Sequence, residues 1–116
     1  MEKRDSVKKE IRRYLSDWKY RLLLEDWNII VQWHREMIPG HDKNAGGVIT
    51  PDWRYMEATL HLNLGKMKLL TKQERERMVV HELLHCLTNP LKRTGADQEE
   101  LLVTRLALIL VPHRVE

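Results

Sequence analysis

Two histidines four residues apart, His81 and His85, enclose a glutamate, Glu82, in the stretch MVVHELLHCL at 78–87. On an α-helix, positions i and i+4 differ by about 40° in direction and about 6 Å in rise, so both imidazoles can aim a nitrogen at one ion. Glu82 then lies beside that face, within reach of a water on the ion and without ligating the ion itself. Two neutral nitrogen ligands, a carboxylate base and an open coordination position are what metal-assisted hydrolysis needs. Random order at this composition produces His-Glu-x-x-His in a few per cent of chains. The elements around the motif therefore have to decide its meaning.

Hydrophobic periodicity places those elements. Val7, Ile11, Tyr14, Leu15, Trp18 and Leu22 recur at helical spacing and predict a first helix over about 5–24. Trp27, Ile29, Val31 and Trp33 alternate with Asn28, Ile30, Gln32 and His34, so the period drops to two and a strand is expected. Pro39-Gly40 and the HDKNAGG run end it in a loop. GVIT at 47–50 reads as a short strand stopped by Pro51, and ATLHLNL at 58–64 alternates as a third.

Thr71-Lys72-Gln73-Glu74 has the form of a capping box and opens a helix that runs through the motif to Asn89-Pro90. The motif is thus placed on a helix by signals independent of itself, with Val80, Leu83, Leu84 and Leu87 on the side away from the histidines. A last helix starts within TGADQEE and runs to Pro112, with Leu102, Val103, Leu106, Ile109 and Leu110 expected to face the core. The order is helix, three strands, helix, helix, in one α+β domain over 1–116.

The composition agrees. A chain of 116 residues supports one core and not two. With 42% apolar and 32% charged residues it reads as a folded globular domain rather than a disordered tail. The net charge of +3 is diffuse: seven Lys or Arg stand against four Asp or Glu in the first twenty residues. A solvated helix face accounts for that better than nucleic-acid contact, which stays compatible with it. The lone Cys86 excludes an internal disulfide; it points about 100° away from His85 and reads as a small buried hydrophobe rather than a ligand. MEKRDSVKKE has no apolar signal core, and no apolar run reaches membrane-spanning length. A cytoplasmic protein without membrane contact is expected.

A catalytic zinc takes a third protein ligand. CLTNPL after the motif lacks the Gly and His of the extended metzincin signature, which leaves Asp97, Glu99, Glu100 and His113. HELLH followed by a helix reading EELLVTRLALILVP resembles the gluzincins, zinc metallopeptidases whose third ligand is a glutamate on a later helix. It is most similar to the small single-domain minigluzincins and to phage-type metallopeptidases of the ImmA/IrrE kind. The resemblance runs from about the last strand to Pro112, near half of the chain. It implies a minimal zincin-like domain: N-terminal helix, small three-stranded sheet, HExxH helix and a C-terminal helix bearing the glutamate.

In those relatives the ligand glutamate is followed by a small residue at +3, a short polar one at +4, a bulky apolar one at +6 and a small one at +7. Glu100 is followed there by Val103, Thr104, Leu106 and Ala107, whereas Glu99 gives Leu102, Val103, Arg105 and Leu106, a poorer fit. The resemblance therefore implies one Zn2+ per chain held by His81, His85 and Glu100. Two imidazoles and a carboxylate also suit zinc among divalent ions. Val103, Thr104 and Ala107 would form a narrow face for close approach, with Thr104 hydrogen-bonding behind the ligands. The competing role for Glu100 is a capping box with Asp97, from which it is released if Thr94 caps the helix.

The activity implied is peptide-bond hydrolysis in a peptide or protein substrate, with Glu82 taking a proton from water and returning it to the leaving amine. In zincins the edge strand before the active-site helix binds substrate in extended form, which here implies ATLHLNL and its Thr59, His61 and Asn63. Tyr55, His61, Arg105 and His113 remain open as donors to the developing oxyanion. So small a chain leaves three expectations: the cleft is shallow and its substrate specific, a partner completes it, or the tail VPHRVE, carrying His113, folds over the zinc and keeps the enzyme latent. Two other readings stand beside this one. The first is a DNA-associated or repressor-cleaving protease of the SprT-like or phage kind, using basic residues of the first helix. The second is a non-catalytic zinc-binding module, against which Glu82 argues, because a structural site needs no base.

Overall fold

A computed structural model describes residues 3–89 and 96–112. Helix α1 (Lys3–Arg21) opens the fold and buries Val7, Ile11, Leu15 and Trp18, the stripe expected from the spacing. It ends earlier than the periodicity suggests. Leu24 N–H reaches Lys19 O at 2.8 Å and Leu23 N–H reaches Tyr20 O at 3.2 Å, a Schellman closure with Leu23 in the left-handed region at φ 58°.

Strands β1 (Asn28–His34), β2 (Gly47–Asp52) and β3 (Glu57–Asn63) form one sheet in the order β1-β3-β2. β3 runs parallel to β1 and antiparallel to β2, with Ile29 opposite Ala58 and Ile49 opposite Leu60. Ile49, Ala58, Leu60 and Leu62 are buried on one face beneath the helices, while Ile30, Gln32 and Thr50 on the other are exposed. This topology corrects two expectations. The 58–64 segment is the central strand, with its backbone engaged on both sides, so it is not an edge available to substrate. β2 also continues through Pro51, because an edge strand tolerates a residue without an N–H.

Asn63 ends β3 and begins a short helix, α2 (Leu64–Leu69), which the alternation over 58–64 did not reveal. Its Oδ1 accepts from Lys66 N at 3.1 Å as the N-cap, and its Nδ2 donates to Glu36 O at 2.7 Å and to Lys43 O and Ala45 O at 3.3 Å. Asn63 is thereby a buried clamp on the loop that delivers the chain into β2, not a substrate contact.

Helix α3 (Lys72–Thr88) starts as expected. Thr71 Oγ1 accepts from Glu74 N at 3.1 Å and Glu74 Oε1 accepts from Thr71 N at 2.9 Å, both halves of the capping box. Val79, Val80, Leu83 and Leu84 face the core, but Leu87 is exposed. Arg75 ties three helices together: it donates to Glu10 of α1 at 2.7 and 3.0 Å and to the carbonyls of Met67 and Leu70 at 3.1 and 2.6 Å. The buried Arg75 thus closes the end of α2 while it pins α1 against α3.

Helix α4 (Ala96–Leu110) packs on α3 through Val103 and Ala107, followed by buried Val111. Leu102, Ile109 and Leu110, expected in the core, are exposed. The helix is rotated so that its small residues meet α3. No helix among the described residues is long and apolar enough to cross a membrane.

Candidate metal centre

Four residues at i, i+4 spacing, Arg77, His81, His85 and Asn89, follow one stripe of α3 and its C-cap. The imidazoles of His81 and His85 sit edge-on with centroids 5.1 Å apart. From α4, Glu100 Oε1 comes within 2.9 Å of His81 Nε2 and Glu100 Oε2 within 3.1 Å of His85 Nε2. One donor atom from each of the three residues lies within 4.8 Å of the others. Four-coordinate zinc with bonds of about 2.0–2.1 Å separates its ligand atoms by about 3.3 Å. The two carboxylate–imidazole spacings are a few tenths of an ångström short of that and the whole set lies within 4.8 Å, so side-chain rotations bring the donors onto one ion, and the donor types fit it.

Glu99 and Glu100 divide the labour. Glu99 Oε1 lies 2.6 Å from His85 Nδ1 and 3.0 Å from Thr88 Oγ1, and its side chain is buried, whereas that of Glu100 is 56% exposed. A proton held on Nδ1 by Glu99 leaves the Nε2 lone pair of His85 directed toward Glu100. Thr104, expected behind the ligands, is exposed; Glu99 backs His85 instead, and Thr88 Oγ1 of α3 donates to Glu99. Glu100 is turned to the imidazoles and not folded back as a cap; Thr94 and the side chain of Asp97 lie outside the described residues.

Burial sets the charge states. Desolvation holds His81 below the usual imidazole range, with the His85 ring adding to it and Glu100 opposing, which favours the neutral ligand form. Glu82 is buried, with Oε2 3.9 Å from His81 Nε2. Desolvation first and the charge of Glu100 second push its carboxyl up to about 8, against an N–H donated by Ile49. A nearby dication would draw it back toward the ionised form. Burial, helped by the charge of Glu82, raises the Cys86 thiol to about 12, consistent with a packing role.

A cavity of about 320 Å³ opens over the triad, bounded by Ile49 and Pro51 of β2 on one side and by Asn89 and Glu100 on the other. The strand beside the site is therefore β2, the edge strand on that side of the sheet, whose Ile49 N–H is given to Glu82. Trp53 N donates to Asn89 Oδ1 at 3.1 Å and ties the end of β2 to the end of α3. Thr59 and His61 stand on the opposite face of the sheet: Thr59 O receives the Thr50 hydroxyl at 3.4 Å, and His61 Nδ1 shares a hydrogen bond of 3.0 Å with His34 Nε2. Burial, then the charges of His34 and His41, lowers the His61 imidazole.

Tyr55 lies exposed in the β2–β3 turn and Arg105 exposed on α4, and neither lines this cavity. His113 and the rest of the tail fall outside the described residues. Arg77, Thr88 and Asn89 are the contributors that sequence reasoning passed over; their offsets of −4 from His81 and +3 and +4 from His85 were the available signal. No protein-family model, no curated protein and no solved structure matches this chain.

Proposed function

We propose that this protein is a zinc-dependent peptidase on a minimal zincin-like domain, with His81, His85 and Glu100 as metal ligands and Glu82 as general base and acid. The observation that carries the reading is the convergence of His81 Nε2, His85 Nε2 and the Glu100 carboxylate beside a buried second carboxylate and the edge strand β2. A zinc ion there supplies Lewis acidity toward a carbonyl and lowers the pKa of a water to roughly 7.

The chain's own residues do the rest. Glu82 Oε2 accepts a proton from the attacking water and delivers it to the leaving nitrogen. Glu99 keeps the His85 ring in one tautomer and orientation throughout. Substrate main chain adds along the edge of β2 beside the cavity, at backbone groups other than the Ile49 N–H that Glu82 holds. Asn89, its Oδ1 occupied by Trp53 N–H, is left with an amide donor at the cavity for the carbonyl oxygen as it gains charge.

The deciding experiment is zinc content by elemental analysis together with hydrolysis of a peptide library. Wild type and Glu82→Gln should each carry one zinc per chain, Glu100→Ala should lose it, and only wild type should cleave. Zinc-free wild type after incubation with the metal, or cleavage undiminished in Glu82→Gln, would overturn the proposal.

A further inference from the structure

The face of the sheet turned away from the helices carries a second set of metal-binding side chains. β1 and β3 run parallel with Gln32 opposite His61 and His34 opposite Asn63, which brings His34 and His61 diagonally together on that face. His34 Nε2 and His61 Nδ1 lie 3.0 Å apart, with ring centroids 5.2 Å apart and planes inclined by 29°. Both residues are half-exposed, and Ile30, Gln32 and Thr50 around them are exposed, so solvent and a small ion have access to the two rings.

The backbone beneath the pair is fixed. Arg35 O accepts the Gly65 N–H at 3.0 Å and Glu36 O accepts from Asn63 Nδ2 at 2.7 Å, which anchors the residues that follow each histidine. Neither ring is paired with a carboxylate among the described residues, so a second proton on the pair would set two cations in contact. Burial, then the charges of His34 and His41, holds the His61 imidazole below its ordinary range and in the neutral form that ligates metals. Metal–nitrogen bonds of about 2.0–2.1 Å at right angles place neighbouring ligand atoms about 2.8–3.0 Å apart. The two nitrogens therefore have the spacing of adjacent ligands in a tetragonal complex.

We infer that His34 Nε2 and His61 Nδ1 form a second metal site, which takes a late first-row divalent cation and prefers Cu2+. Two imidazoles in tetragonal spacing suit Cu2+ and Ni2+ over Zn2+, and Cu2+ binds nitrogen donors the most tightly of these. The ion takes the place of the hydrogen bond between the rings. The proton of that bond moves to the other nitrogen of its own imidazole, so each ring stays neutral and none is released. Among the described residues no third histidine, cysteine or acid converges on the pair as Glu100 does on His81 and His85, and water fills the remaining positions. An ion held there ties β1 to the central strand through side chains as well as through the ladder. Neither the triad nor peptide hydrolysis is needed for it.

The test is a titration of Cu2+ into His81→Ala/His85→Ala protein, which lacks the imidazoles of the first site. Competition with a chromophoric chelator gives the affinity, and electron paramagnetic resonance counts the nitrogen ligands. One Cu2+ per chain with two nitrogen ligands is expected. In that background His34→Gln and His61→Gln should each weaken binding about tenfold or more, while His41→Gln should leave it unchanged. Ni2+ and Zn2+ should bind more weakly than Cu2+. Melting curves of the metal-free proteins check that each variant is folded. If the background variant does not fold, wild type is first given one equivalent of Zn2+, and substoichiometric Cu2+ should then broaden the imidazole NMR signals of His34 and His61.

A folded background variant that binds no Cu2+, an affinity untouched by both glutamine changes in the pair, or NMR broadening confined to His81 and His85 overturns the assignment. Equal weakening by His41→Gln and by the pair variants also overturns it, because the ion would then be held by scattered surface imidazoles.

Discussion

His85 Nδ1 and Glu99 Oε1 lie 2.6 Å apart, on the side of the imidazole turned away from Glu100. The contact commits the ring to one tautomer and one orientation before any ion arrives. On the proposed zinc site, Glu99→Ala should weaken zinc binding about 10- to 100-fold without abolishing it, whereas Glu100→Ala should abolish it as the loss of a proposed ligand. Competition with a chromophoric chelator separates the two; equal losses in both variants would mean that Glu99 ligates the ion.

Glu82 links metal-free stability to pH. In the folded chain its carboxyl titrates at about 8, in the unfolded chain near the ordinary value of about 4.3. Its pKa is raised on folding, so the stability of the protonated form is complete below about 4.3 and is lost as pH rises toward about 8. Glu82→Gln mimics the protonated acid at all pH values. The melting temperature of the metal-free variant should pull ahead of wild type progressively from pH 5 to 8, then hold a constant lead. A gap independent of pH would show that Glu82 is already ionised in the folded chain.

The Glu10–Arg75 pair is nearly buried, at 10% and 9% side-chain exposure. Glu10→Ala strands the Arg75 cation and should cost about 3 kcal/mol in urea unfolding. Replacing both, as Glu10→Leu with Arg75→Met, should cost less than that single change. The reverse ranking would mean that the carbonyls of Met67 and Leu70 depend on Arg75 more than Glu10 does.

Leu23 is 87% exposed and sits at φ 58°, a backbone region that a branched side chain enters at a cost. Leu23→Gly removes that strain and should stabilise the fold by about 1 kcal/mol. Thermal melting reads it directly, and a drop in melting temperature would refute the strain argument.

What was legible in the sequence was local. The Thr71–Glu74 capping box and the His81–His85 spacing each involve residues within one turn, so periodicity alone places them. The sheet order was not legible, because β3 becomes central through a parallel pairing with β1 across residues 35–56. Asn63 escaped for the same reason: its three carbonyl partners lie 18 to 27 residues away. On α4 the apolar content was clear and the buried side was not. From Leu101 to Leu110 only Thr104 and Arg105 are polar, and the stripe that packs, Val103, Ala107 and Val111, continues from Glu100 at helical spacing.

The strand order also has a consequence for vectorial synthesis. β1 and β2 have no pairing with each other and must wait for residues 57–63 to leave the ribosome before either is hydrogen-bonded into a sheet. Glu99 and Glu100 emerge later still, after α3 is complete. A nascent chain paused before α4 would carry both histidines without the carboxylates that orient and complement them, so the cluster of His81, His85, Glu99 and Glu100 is among the last parts of the fold to mature.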